Sequence, residues 1–152
     1  MTGNKIIQDV IKPADGRLLL FIFMIPALLG LTNCKINSVS QPGTAQPYDT
    51  IAVELSLTVS NPDASNPSKG FLGMLVPDDW QMLSGNYTSA NGSGQVVESS
   101  DWTDSVNVHY PPANYGENLK WIGCLSQFGH TAASAFDVTV NLSVKVGRRE
   151  GL

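Results

Sequence analysis

The sequence predicts an all-β protein, a single antiparallel β-sandwich preceded by a signal-peptide helix and a flexible tether. Three observations carry that prediction. Residues 136–146 alternate strictly, with Phe136, Val138, Val140, Leu142, Val144 and Val146 on one side and Asp137, Thr139, Asn141, Ser143 and Lys145 on the other, the period-two signature of a half-buried strand. Turn-forming clusters of Gly, Pro, Asn, Asp and Ser recur at intervals of roughly ten residues, a spacing typical of all-β domains. No segment after residue 50 shows a helical period.

The elements follow in order. Leu18 to Leu31 (LLLFIFMIPALLGL) is a run without charge, preceded by Lys5, Lys12 and Arg17. It falls short of the roughly 20 residues of a membrane-spanning helix and suits the apolar core of a signal peptide. Leu31-Thr32-Asn33-Cys34 then resembles the lipobox of bacterial lipoproteins, in which diacylglycerol is transferred to the cysteine sulfur; Asn33 stands where Gly, Ala or Ser is usual. The competing reading is a retained signal anchor with Cys34 incidental. Several acyl chains on one residue give durable anchoring where one chain does not.

Lys35 to Tyr48 is rich in Ser, Gln, Pro, Gly and Thr and reads as a tether. The domain organisation is therefore a signal peptide over 1–33, lipidated Cys34 with its tether over 34–49, a β-sandwich over 50–147 and a tail over 148–152.

Within the domain, Ile51 to Val59 alternates and predicts a strand. Asn61 to Gly70 is a loop. Phe71 to Val76 is a strand apolar on both faces, ended by Pro77, with a turn at Asp78-Asp79-Trp80. Ser84 to Gly94 (SGNYTSANGSG) reads as a loop and Gln95 to Glu98 as a weak strand. Ser105 to Tyr110 places Val106, Val108 and Tyr110 on one face of a strand that Pro111-Pro112 stops. Tyr115 to Asn118 is a turn, Leu119 to Ser126 a strand, and Phe136 to Val146 the last strand. One-sided alternation argues antiparallel sheets packed face to face; a closed barrel is the alternative. Six strands are one fewer than an immunoglobulin-like sandwich needs, which leaves two readings, a chain that lacks its last strand or a fragment of a longer protein; the missing edge would leave a long strand unpaired.

Composition narrows the function classes. Charged residues are 14% of the chain and the formal net charge is −4. Lys35, Lys69, Lys120, Lys145, Arg148 and Arg149 form no basic patch apart from the terminal pair, which argues against nucleic acid as a partner. The two cysteines, Cys34 and Cys124, leave two readings: a disulfide in an oxidising compartment, or an acylated Cys34 with Cys124 a buried structural thiol.

The sequence carries neither a GxSxG elbow nor an HExxH pair, and no catalytic residue, metal ligand or cofactor is assigned. His109, His130 and Cys124 match no compact ligand spacing. The carboxylates of Asp78-Asp79 and of Asp101 and Asp104 offer calcium or two-carboxylate chemistry, against the simpler role of solvated loop residues. Trp80 and Trp102, near strand ends, are the candidate ligand-contact aromatics; packing beneath a loop is their competing role, and Trp121, mid-strand, is assigned to the core.

Three stretches, GFLGMLVPDDW (70–80), YGENLKWIGCLS (115–126) and FDVTVNLSVKVG (136–147), resemble uncharacterised lipoproteins of the Bacteroidota, as does the opening CKINSVSQP from Cys34. The resemblance implies an immunoglobulin-like sandwich on a lipid anchor in a bacterial, outer-membrane envelope. It also implies a non-catalytic binding module that contacts a glycan or a partner protein. The alternative is a purely structural spacer or assembly domain with no small ligand.

Overall fold

The computed structural model of the chain describes residues 34–148. The expected signal peptide over 1–33 and the tail beyond 148 lie outside the described residues.

The fold is all-β, with seven antiparallel strands and one α-helix among the described residues. In chain order these are β1 (Cys34–Ser40), β2 (Thr50–Val59), β3 (Phe71–Pro77), β4 (Gln81–Ser89), β5 (Gly92–Glu98), α1 (Ser100–His109), β6 (Leu119–Ser126) and β7 (Phe136–Lys145). The strands lie side by side in the order β1-β2-β7-β4-β5-β6-β3.

This is one continuous curled sheet, where the sequence reading expects two separate ones. The joint is β5. Its first half, Gly92 to Gln95, pairs with β4, and its second half, Val96 to Glu98, pairs with β6. The curl brings the two arms together over a shared core, in which Val53, Leu55 and Val144 from one arm pack with Met74, Val76 and Cys124 from the other. The phase expected for β2 and β7 is the phase observed: Ile51, Val53, Leu55, Val140, Leu142 and Val144 are all buried.

Three local expectations are overturned. Ser105 to His109 is helical, part of α1, and Tyr110 is the C-cap residue. Ser99 caps the helix by accepting from the Trp102 N–H at 3.4 Å, Asp101 sits in the first turn, and Val106 is the buried contact. Trp102, Val106 and Tyr110 recur every four residues, a helical spacing masked by the overlapping Val106-Val108-Tyr110 alternation. Val108, assigned to the same strand face, is 77% exposed.

Ser84 to Ser89, read as loop, belongs to β4. Its polar, glycine-containing sequence becomes a strand because β7 pairs with it from Gln81↔Lys145 to Ser89↔Val138. Gly85 fits this strand because the neighbours already fill its side-chain space: a Cβ there would lie 2.7 Å from Leu142 and 2.9 Å from Val96. β7 is consequently flanked by β2 and β4 and has no open side, unlike the unpaired strand that the sequence reading anticipates.

The third overturned expectation is the tether. Its first half, Cys34 to Ser40, is edge strand β1, in register with β2 from Cys34↔Val59 to Ser40↔Glu54. The edge is protected by a bulge between Ile36 and Ser38 and by the charge of Lys35. Asn37 donates to the Thr58 hydroxyl at 2.8 Å, which donates onward to Asp137 at 2.6 Å, tying β1 to β2 and β7 on the outer surface.

The registers define two ends. Cys34 pairs with Val59 and Val59 with Phe136, so the 60–70 and 127–135 loops share an end with Cys34. The Ser68↔His130 bridge staples those two loops together. The opposite, distal end carries the Asp78–Trp80 turn, the start of β4 and the start of β6.

Helix α1 covers the outer face of β3 and β6, closing a second, smaller core of Leu75, Val106 and Trp121. It approaches closely because Gly123 has no side chain: a Cβ there would lie 2.5 Å from the Thr103 backbone nitrogen. Thr103 and Gly123 are also bonded directly, the Gly123 N–H donating to the Thr103 hydroxyl at 2.8 Å.

Candidate functional site

The two aromatics singled out in the sequence have different fates. Trp80 is a core residue, 1% exposed. The turn that begins at Pro77 closes through a bond from the Trp80 N–H to the Pro77 carbonyl at 3.0 Å, and the ring packs in the main core. A ring so buried offers no face for a sugar to stack on, which removes Trp80 as a surface platform. Trp102 is half-buried in the first turn of α1 and stacks on Phe71, ring centroids 4.5 Å apart at 23°. Trp121 is core as expected, its indole N–H donating to the Tyr110 carbonyl at 2.6 Å.

Trp102 closes one end of a row that runs across three strands. Val97 of β5 faces Leu125 of β6, and Leu125 faces Phe71 of β3. These residues sit on the outer face beyond the N-terminus of α1. Phe71 and Leu125 are half-buried and Val97 is 40% exposed. The row is apolar from end to end, and the sequence alone could not place it, since its members come from three strands and a helix.

A different feature lies at the distal end. Pairing of β4 with β5 stops at Asn86↔Gln95, and β5 then turns to β6. Where the strands part there is a cleft of about 190 Å³. Trp80, Trp121 and Ile122 contribute apolar walls, and Gln81, Glu98, Thr103 and Lys120 contribute polar groups. Glu98 and Lys120 make no side-chain hydrogen bond or ion pair among the described residues. The Trp80 indole N–H, buried beside this cleft, has no hydrogen-bond partner among them either.

The remaining reactive groups are two thiols and two imidazoles. Cys124 is fully buried and donates to the Met82 sulfur at 3.6 Å; burial, with a contribution from the Glu98 charge, pushes its thiol up to about 12. A thiol so protonated is a poor nucleophile. Cys34 and Cys124 are both free thiols, and burial raises the Cys34 thiol as well. His130 meets the Tyr87 hydroxyl at 2.7 Å, a contact that Gly92 permits, since a Cβ there would lie 2.5 Å from the imidazole. His109 lies on the last turn of α1 against the Ser105 carbonyl at 2.8 Å. Among the described residues no cluster of three His, Cys, Asp or Glu side chains could hold a metal ion, and no helix is long and apolar enough to cross a membrane.

Compared with protein-family models, with curated proteins and with solved structures, the chain matches none.

Proposed function

We propose that the chain is a lipid-anchored, non-catalytic binding module of a bacterial cell envelope, and that it docks a partner protein on the Val97-Leu125-Phe71 row capped by Trp102. The observation that carries this reading is the row itself, a continuous apolar stripe across three strands, left beside rather than beneath the covering helix. Stripes of this kind mark interaction sites, and partly exposed aromatics dominate binding at protein interfaces. A protein partner is favoured over a glycan because burial of Trp80 removes the Trp80–Trp102 pair on which a two-tryptophan sugar platform would rest. The lipid anchor rests on the basic flank, the apolar run and LTNC of the sequence. With β1 starting at Cys34, an acylated Cys34 sets the domain directly on the bilayer by its loop-bearing end, with no intervening tether.

The test is a photo-crosslinking amino acid placed at Val97 in cells, with Val108 as the exposed control position, alongside a glycan array. A discrete protein adduct from Val97, absent from Val108 and lost on Trp102→Ala, is the expected result. Glycan binding lost on Trp102→Ala would reassign the surface to sugars, and no adduct and no glycan would leave a spacer domain. Palmitate labelling that survives Cys34→Ala would overturn the anchor.

A further inference from the structure

We propose that the distal cleft between β4 and β5 binds a small zwitterion, a molecule of free amino-acid size with a carboxylate and an ammonium group. Three observations converge. Glu98 and Lys120 both line the cleft yet neither has a charged or hydrogen-bonded partner among the described residues. Both residues are in phase with buried Val96 and Ile122, with Glu98 exposed and Lys120 half-buried, so they stand at the solvent-facing mouth of the core. The rest of the wall is Trp80, Trp121 and Ile122, giving apolar sides with a few convergent polar groups, the usual composition of a small-molecule site.

Charge decides the ligand class. An anion alone would satisfy Lys120 and be repelled by Glu98, and a cation alone would meet the reverse. A zwitterion answers both, its carboxylate accepting from Lys120 and its ammonium donating to Glu98. Gln81 supplies a further donor and acceptor at the rim. Size sets a limit: the cleft has room for about six waters at roughly 30 Å³ each, the space of a compact ligand with few non-hydrogen atoms. The site is separate from the outer-face row, since none of Val97, Leu125, Phe71 and Trp102 lines it. It also sits at the end away from Cys34, so it stays open to solutes when the chain is anchored there.

The experiment uses the full chain in detergent, read by tryptophan fluorescence, since two of its three tryptophans line the cleft. Glycine, alanine and valine are titrated, with acetate and methylammonium as singly charged controls. A saturable change is expected with at least one amino acid, with each control about tenfold weaker or more, since losing a charge-assisted contact is worth at least that factor. Glu98→Gln and Lys120→Met should each weaken binding by about tenfold, and Val97→Ala should leave it unchanged. The proposal is overturned by the absence of a saturable response to any amino acid up to about 10 mM. It is also overturned by acetate binding as tightly as alanine, or by affinity indifferent to both charge substitutions. Because the ligand comparison is made on the unaltered chain, it decides the question even if a variant folds poorly.

Discussion

Gly123→Ala is the substitution on which the packing of α1 can be judged. A Cβ on Gly123 would lie 2.5 Å from the Thr103 nitrogen, 2.8 Å from the Trp102 carbonyl carbon and 3.0 Å from the Thr103 Cα. All three are helix backbone, so no side-chain rotation relieves the contact and the first turn of α1 must move outward by about 1 Å to restore van der Waals spacing. Overpacking of this kind costs about 1–3 kcal/mol. The shift also strains two bonds that pin the helix start, Gly123 N–H to the Thr103 hydroxyl and Ser99 N–H to the Gly123 carbonyl, each 2.8 Å. Each contributes about 0.5–1.5 kcal/mol. The expected loss is therefore about 2–6 kcal/mol, a drop of about 1–3 M in the urea midpoint at a denaturant slope of about 2 kcal/mol/M. Equilibrium urea unfolding of the chain from Cys34 onward measures it, with Gly43→Ala as the control. A Cβ on Gly43 meets nothing within 4 Å, so that change should be neutral or slightly stabilising. Equal midpoints for the two variants would refute the close approach of α1 to β6, and with it the position given to Trp102.

Two further outcomes follow from the core. Val140→Asp places an unpaired charge among the buried residues of β7 and should cost several kcal/mol, whereas Asn141→Asp, on the outer face opposite Glu54, should cost less than about 1 kcal/mol through like-charge repulsion; thermal unfolding of both variants checks the phase of the strand. Cys124 should resist maleimide at pH 8 in the folded protein and react on unfolding. Its thiol is raised from 9.0 to about 12, so the folded state favours the protonated form and the Cys124 contribution to stability should be constant below pH 9 and fall as pH rises above it, a contribution that Cys124→Ala removes.

Much of this fold was legible from local pattern, because a strand with one wet face must alternate. β2 and β7 are recovered with their phase, and Phe71 to Val76, apolar on both sides, already signalled a strand covered twice. What covers it was harder to see. The Ser99-Ser100-Asp101 cap and the Trp102, Val106, Tyr110 spacing are present in the sequence, but a rival alternation of the same valines obscured them. The candidate sites were less legible still. Trp80 looks like a surface aromatic beside a turn, and only the direction of that turn sends it inward.

The sequence by itself determined that the chain is β-rich, which residues of its strongest strands face the core, and where its turns break. Those are one-dimensional properties, fixed by side-chain period and backbone chemistry. Tertiary structure decided that the polar stretch Ser84 to Ser89 is a strand, since its partners on β7 lie about fifty to sixty residues away and only Asn86 to Ser89 also pair locally, with β5. It alone decided that β5 changes partners midway, because nothing within Gly92 to Glu98 encodes which neighbour each half will meet. From that change of partners come both the curl that encloses the core and the cleft that holds Glu98 and Lys120, which lie 22 positions apart in the chain and share a site only after folding.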